Sequence, residues 1–313
     1  MPASLYLGVD IGGTKTAVAL VAENGSIVYI DQTPTPVNPG GVEILENAVA
    51  LAKKICAKLD KNARLLGIGI GAGGQINAET GVVVSATDIL PGWAGIRIRE
   101  GFQYAFESVS NIAVDNDVNA FASGEWKFGA ARGAKNALFL ALGTGVGGAA
   151  IVDGRLLRGA HHSGAEFGHI LFIIPEDDRH DRQGYRGSLE AYVSGPGLVS
   201  TWREIAGSHD DEVTGRYITG EAKANPSGDC GTAVTRTGTY LGYGLASLAN
   251  VFDPEIIVIG GGLASLGDML LDPARNILKK YALPGPRSAN VVTALLGANS
   301  SVVGAASLSM HES

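Results

Sequence analysis

One local pattern occurs twice in this chain and restricts its folding more than any other feature. A short buried strand runs into a glycine-bearing loop, and the loop runs into a second strand, not into a helix. Near the N-terminus the first strand is residues 5–9 (LYLGV), the loop is Asp10-Ile11-Gly12-Gly13-Thr14-Lys15, and the second strand is 17–22. The turn Glu23-Asn24-Gly25-Ser26 leads to a third strand at 27–30, Asn-Gly being a strong hairpin signal. At 137–142 (ALFLAL) the pattern returns, with the loop Gly143-Thr144-Gly145-Val146-Gly147-Gly148, a strand at 149–152, the turn Asp153-Gly154 and a return at 155–157. This internal similarity implies two related α/β halves, each opening with a glycine hairpin. A chain of 313 residues suits two domains packed around a cleft better than one small core.

Further elements follow from periodicity. Ile44, Leu45, Ala48, Leu51, Ala52, Ile55 and Leu59 form a helical stripe, and 65–71 (LLGIGIG) is a buried strand. Helical pieces are expected at 120–128, 272–282 and 302–310, and a strand at 256–259 ends in Gly260-Gly261-Gly262. Residues 176–187 (EDDRHDRQGYRG) are polar enough to be a solvated loop, and the polar, Gly/Ser-rich stretch 207–231 gives no clear element.

Composition narrows the function. The formal net charge of −7 argues against a nucleic-acid partner, which needs a basic face. It leaves ATP open, because local donors and Mg²⁺ hold phosphates inside an acidic protein. The most apolar segment, 137–152, carries four glycines and reads as strand, loop and strand, so no membrane helix is expected. No signal peptide is read ahead of the first strand. Cys56 and Cys230 read as two reduced thiols of a cytoplasmic protein, a disulfide between them being the alternative.

Both glycine loops suit phosphate. Gly12 and Gly13 let an oxygen approach backbone N–H groups, Thr14 adds a hydroxyl, Lys15 adds charge, and Asp10 at the strand end can orient hydrated Mg²⁺. Gly143, Thr144 and Gly145 supply a second set of donors. One such loop would be no more than an ordinary glycine hairpin; two point to a nucleotide. Neither is a Walker A loop or a Rossmann fingerprint, since each leads into a strand. That topology points to the actin–hexokinase–Hsp70 type of ATPase. Gly261, Gly262 and Leu263 would let an adenine ring lie against backbone, a plain strand-to-helix turn being the alternative reading.

The acid–base candidates lie between the hairpins. Asp115-Asn116-Asp117-Val118-Asn119 stands at a strand–helix junction, where such side chains either cap the helix or do chemistry. Asp117 is the candidate general base for a sugar hydroxyl, with Asn116 beside it on a neighbouring hydroxyl. Glu166 and His169 are three apart, so a helical turn places both on one face, matching a sugar's alternating donors and acceptors. Glu190 is a third candidate, which alone would be an ordinary exposed glutamate. Gly74 and Gln75, within Gly73-Gly74-Gln75-Ile76-Asn77, allow close approach of a sugar ring; Thr87 adds a hydroxyl, and Trp93 is core or pocket wall.

In this order the motifs DIGGTK (10–15), 71–76, LPGW (90–93), NDVN (116–119), LGTGVGG (142–148), EFGH (166–169), Leu189-Glu190, Ser194-Gly195-Pro196 and IGGGL (259–263) resemble the ROK family of repressors, open reading frames and kinases over nearly the whole chain. The resemblance implies an actin-like, ribonuclease H-like two-domain fold. Its domains would be 1–117, rejoined by a C-terminal helix at about 300–313, and 118–299. It implies sugar phosphorylation from ATP with Mg²⁺, Asp117 as catalytic base, sugar contacts from Asn116, Glu166, His169 and Glu190, and a homodimer or homotetramer. Glucokinase-type members have Pro-Gly-Pro where this chain has Gly73-Gly74-Gln75, and the Gly-Gly-x-x-Asn pattern with Thr87 is similar to N-acetylmannosamine kinases. Glucokinase is placed first, N-acetylmannosamine or another N-acetylhexosamine second, and a non-catalytic sugar sensor or an actin-like assembly protein after them. Polyphosphate is an alternative donor.

Two departures from the family pattern matter. The usual zinc motif C-x-C-G-x-x-G-C corresponds here to Asp181-Arg182-Gln183-Gly184-Tyr185-Arg186-Gly187-Ser188, without cysteine, so no zinc site is expected although His169 remains. The first hairpin also starts within ten residues of Met1, so the DNA-binding extension of the repressor branch is not expected.

Overall fold

A computed structural model describes residues 4–171, 178–208 and 210–310. In chain order the elements are β1 (Ser4–Ile11), β2 (Lys15–Ala22), β3 (Ile27–Pro34), α1 (Val42–Cys56), β4 (Arg64–Ala72), β5 (Gln75–Asn77), β6 (Val82–Ser85), α2 (Ile98–Ala105), β7 (Ile112–Asn116) and α3 (Asp117–Lys127). Then come β8 (Ala137–Leu142), β9 (Val146–Val152), β10 (Arg155–Leu156), α4 (Glu190–Val193), α5 (Gly195–Ala206), α6 (Gly215–Ala224), α7 (Asp229–Phe252), β11 (Ile256–Gly260), α8 (Asp268–Tyr281), β12 (Asn290–Thr293) and α9 (Ser300–Leu308).

The chain forms two compact units. One contains Met1–Gly133, Arg158–Gly164 and Leu295–Ser313; the other contains Ala134–Leu157 and Ala165–Ala294. The boundary expected at 117/118 is therefore corrected. Residues 118–133 stay with the first unit because α3 packs on α9, and the short return 158–164 belongs there too.

The first unit holds a five-stranded sheet ordered β3-β2-β1-β4-β7, and the second one ordered β10-β9-β8-β11-β12. In each, an antiparallel three-strand meander supplies one side and two strands parallel to its first strand complete the other. The repeat read from the glycine hairpins is thus a repeat of whole sheets.

The first sheet is covered on both faces. On one, Ile44, Ala48, Leu51, Ala52 and Ile55 of α1 pack with Leu7, Val9, Ile68 and Ile70; Glu43 in its first turn and Lys53 and Lys54 in its last suit the helix dipole. On the other, Val302, Val303 and Ala306 of α9 pack on Tyr6, Ala19 and Val21. Glycine makes this approach possible: a Cβ at Gly69 of β4 would collide with the Ala305 carbonyl, and one at Gly304 of α9 with the Ala120 carbonyl of α3.

The 24-residue α7 lies where periodicity gave no element at its start. Its stripe is glycine and threonine as much as leucine, because Gly238 and Gly242 bring it close against the backbone of α8 at Leu270 and Ala274. The stretch 207–231 also contains α6, capped by Thr214, whose hydroxyl accepts from the Tyr217 amide at 3.2 Å; His209 in it lies outside the described residues.

The stretch 176–187 is not wholly solvated, in contrast to the expectation. Glu176 and Asp177 lie outside the described residues, but Arg179 and Asp181 are buried. No helix among the described residues is long and apolar enough to cross a membrane, and Cys56 and Cys230 are both free thiols.

Candidate active site

In the first unit, β1, β4 and β7 run parallel and adjacent, so their C-terminal ends share one edge of the sheet. Open α/β sheets bind ligands at such an edge. Asp10 stands near the end of β1, opposite Gly71 of β4; Asn116 ends β7 opposite Ala72, and Asp117 opens α3. Asn116 is the N-cap of α3, its Oδ1 accepting from the amides of Val118 at 2.8 Å and Asn119 at 3.3 Å. Its Nδ2 donates to the Gly74 carbonyl at 2.9 Å, so it both caps the helix and fixes the glycine turn. Of the alternatives in the sequence, capping falls to Asn116.

Asp117 is held by the Val118 amide, 2.9 Å from Oδ1, and burial pushes its carboxyl above the usual carboxylate range. Burial, then repulsion from Asp117, raises Asp10 to about 7, with Lys15 pulling the other way. A pair of carboxylates displaced upward at a sheet edge marks a candidate site for acid–base or cation chemistry. Of the three aspartates Asp115 alone is buried, and it accepts from Asn119 Nδ2 at 2.8 Å and from Arg158 Nε at 2.8 Å.

The first hairpin turns through Gly12, Gly13 and Thr14. Gly12 N donates to the Lys15 carbonyl at 3.1 Å, while Thr35 donates its hydroxyl to the Gly12 carbonyl at 2.6 Å. Thr14 and Lys15 are exposed, and Lys15 Nζ reaches Gln32 at 3.3 Å along the neighbouring strand. Gln75 accepts from the Ser85 hydroxyl at 3.1 Å, Thr87 is exposed on the turn before Leu90, and Trp93 is core, its Nε1 donating to the Gly73 carbonyl at 3.2 Å. Asn77 caps a local turn through the amides of Glu79 and Thr80, each at 3.0 Å.

In the second unit the hairpin is tighter than expected: β9 already begins at Val146, leaving 143–145 as the turn. Gly143 N donates to the Gly145 carbonyl at 2.9 Å, and Gly195 N to the Gly143 carbonyl at 2.7 Å. A cavity of about 610 Å³ opens beside it. Four expected residues line it: Gly143, Thr144, Gly262 and Leu263. Gly145 and Gly261 shape it from behind. Gly261 has φ +81°, and a Cβ there would strike Leu142; Gly145 backs onto Glu190.

The sequence reading missed the rest of the lining: Gly195, Pro196 and Val199 of α5, and Thr214, Gly215, Arg216 and Thr219 at the start of α6, with Ser265. Two helix N-termini thus open beside one cavity, a suitable place for phosphate oxygens. Thr214 as an N-cap was the available signal.

Glu190 is buried, not exposed. Its Oε2 accepts from the Val146 amide at 2.8 Å, tying the first turn of α4 to the glycine hairpin. Glu166 and His169 flank a single 3₁₀ turn, Glu166 exposed and His169 half-buried. That turn sits on β9 where a Cβ at Gly148 would strike the Ala165 carbonyl. His169 Nδ1 lies 3.4 Å from Asp181 Oδ2, and its Nε2 lies 3.4 Å from Gln183 Nε2. Burial pushes the Asp181 carboxyl up. The hydrogen bonds from Ser188, Tyr185 and Gln183, with His169 nearby, outweigh that effect and hold it below the usual carboxylate range.

Doubled sheets with glycine hairpins at β1–β2 and β8–β9 define the actin-like ATPase architecture, in the version found in sugar kinases. The chain belongs to the ROK family, whose model matches residues 6–312. It is 35% identical to a glucokinase of Halalkalibacterium halodurans over 96% of this chain and 93% of that one. It is 34% identical to a glucokinase of Streptomyces coelicolor over 97% of both. Among solved structures it is similar to a ROK family glucokinase from Streptomyces griseus in complex with glucose and AMPPNP, with TM-score 0.79 and 31% identity, covering 97% of this chain and 98% of that one.

The family's usual zinc does not fit this chain. The four corresponding positions are His169, Asp181, Gln183 and Ser188, which offer an imidazole, a carboxylate, an amide and a hydroxyl in place of thiolates. Among the described residues no group of three or more His, Cys, Asp or Glu side chains is arranged to hold a metal ion.

Proposed function

We propose that this chain is an ATP-dependent hexose kinase of the glucokinase type, moving the γ-phosphoryl group to the 6-hydroxyl of a free sugar with Asp117 as general base. The observation that carries the reading is the half-buried Asp117 carboxylate at the shared end of β1, β4 and β7, which desolvation holds above the usual carboxylate range. In the reaction the sugar hydroxyl gives its proton to Asp117 as its oxygen bonds to the γ-phosphorus. The bond from that phosphorus to the β–γ bridging oxygen breaks, and ADP leaves with the electron pair. Positioning and charge neutralisation supply most of the rate in such transfers.

Asn116, Glu166, His169 and Glu190 are the proposed sugar contacts, with Gly74, Gln75 and Thr87 at the ring's margin. The 610 Å³ cavity is the proposed nucleoside site, with Thr144 and the N-termini of α5 and α6 nearest the phosphates. Gly12, Gly13, Thr14 and Lys15 are proposed to meet the γ-phosphate end. The upward displacement of Asp10 beside Asp117 fits a hard divalent cation, so Asp10 would hold hydrated Mg²⁺. When bound, Mg²⁺ neutralises charge on the phosphates. A cytoplasmic site of action accords with these small soluble substrates.

N-acetylmannosamine kinase activity ranks second. One of its two sequence markers, Asn77, is engaged in a turn through Glu79 and Thr80. The deciding experiment measures ADP release with glucose, mannose, fructose, allose, N-acetylglucosamine and N-acetylmannosamine, with ATP and with polyphosphate. Turnover of glucose with ATP is expected; silence with every sugar and both donors would defeat the proposal.

A further inference from the structure

The loop that carries no zinc ligands is nevertheless tightly organised, and one side chain organises it. The Asp181 side chain is wholly inaccessible to solvent. Its Oδ1 accepts from the amides of Gln183 and Tyr185, both at 2.9 Å, and its Oδ2 accepts from the Ser188 hydroxyl at 2.8 Å. The same Oδ2 faces His169 Nδ1 at 3.4 Å, a separation at which no well-formed hydrogen bond closes, so that Nδ1 is buried without one. Backbone links complete the ring: Gly187 N to the Arg179 carbonyl and Leu189 N to the Ile170 carbonyl, both at 2.9 Å. Leu189 precedes Glu190, so the loop ends where Glu190 meets the glycine hairpin.

We propose that Asp181 does the work a structural metal does in the family's usual loop: it is a positioning residue that ties residues 181–188 together and fixes the ring of His169. The inference rests on the proposed sugar contact of His169. A buried imidazole nitrogen facing a carboxylate is stable only as N–H, so Asp181 selects the tautomer protonated on Nδ1. Nε2 then carries the lone pair, which Gln183 approaches at 3.4 Å and which a sugar hydroxyl would take over as donor. Second partners of a histidine set its tautomer and aim in this way whether or not a metal is involved. The other three positions that would be ligands elsewhere remain clustered around the Asp181 carboxylate, so the loop keeps its shape through hydrogen bonds alone.

The test uses the full chain, Asp181→Asn, and the triple variant Asp181→Cys/Gln183→Cys/Ser188→Cys. Asparagine keeps an oxygen for the two backbone amides and loses the charge facing His169. A rise in the sugar KM of about 10-fold, equivalent to ~1.4 kcal/mol, is expected, with kcat and the ATP KM within about twofold of wild type. Wild type should carry no zinc by elemental analysis and melt unchanged after EDTA. The triple variant should bind about one zinc per chain, melt lower after EDTA, and recover most of the sugar KM when loaded. An unchanged sugar KM in Asp181→Asn would overturn the proposal. So would stoichiometric zinc in wild type, or failure of the triple variant to take up the metal. Zinc content and melting need no sugar turnover, so they still decide the role of Asp181 if the kinase assignment itself fails.

Discussion

Replacing Glu125 by glutamine should weaken the first unit by about 3 kcal/mol while leaving the second unit's melting unchanged. Glu125 lies on α3, is fully buried, and gathers four donors from two parts of the chain. Oε2 accepts from the amides of Ala130 at 2.9 Å and Leu295 at 3.0 Å. Oε1 accepts from the Leu296 amide and the Ser300 hydroxyl, both at 2.8 Å. Glutamine keeps one oxygen, best turned to Ala130 and Leu295, and turns its NH₂ toward the other pair. The Ser300 hydroxyl can rotate to accept, having the Gly297 carbonyl as an alternative at 2.8 Å. The Leu296 N–H then has no partner, a loss of roughly 1–3 kcal/mol, and the surviving bonds lose their charge assistance, roughly another 1 kcal/mol. For a unit of this size that total lowers the melting midpoint by about 6–12 °C. Tryptophan fluorescence reads the units separately, because Trp93 and Trp126 belong to the first and Trp202 to the second. In a Trp202→Phe background the Glu125→Gln midpoint is compared with its parent. A midpoint within about 1 °C would refute the claim that this carboxylate anchors α9 to α3.

Asp117→Asn is expected to lower kcat by about 10²–10⁴-fold with sugar binding retained by calorimetry, the usual range for a lost general base; retained turnover would remove Asp117 from that role. Asp10, raised from 3.8 to about 7, gives a signed pH dependence. Between those values the unfolded chain loses a proton that the folded one keeps, so the first unit's stability falls as pH rises from about 4 to 7 and levels off above. Asp10→Asn should flatten that slope in melts from pH 5 to 8, and an equal slope in both proteins would exclude Asp10 as its source. Gly215→Val, at the wall of the proposed nucleoside cavity, should raise the ATP KM at least about 10-fold with the sugar KM little changed; equal changes in both would argue against that cavity as the nucleoside site. Arg158→Met leaves the buried Asp115 carboxylate without its cation, and because Arg158 is half exposed and solvent screens the pair, a loss of about 1–3 kcal/mol is expected in chemical unfolding; no change would exclude the pair as a source of stability.

The doubled architecture was legible in the residues alone. Strand, glycine turn and strand are local features, fixed by which residues tolerate a tight backbone, so both hairpins were legible without any partner. The same holds for α1, whose apolar stripe has helical period, and for Asp117, which follows a strand and starts a helix. What tertiary structure alone decided depends on approach between distant segments. The start of helix α7 was hidden because glycine and threonine interrupt the apolar stripe of its buried face, the glycines allowing close approach to α8. The cavity lining from α5 and α6 came into view only when residues 195–219 folded back beside residues 143–144 and 262–265. Glu190 was legible as a sugar-contact candidate, but its bond to the Val146 amide was not, and Asp181 read as part of a solvated run although four neighbours close around it. Local sequence specifies backbone propensity and residue chemistry; burial and hydrogen-bond partners are set by contacts tens or hundreds of residues apart, and no periodicity encodes those.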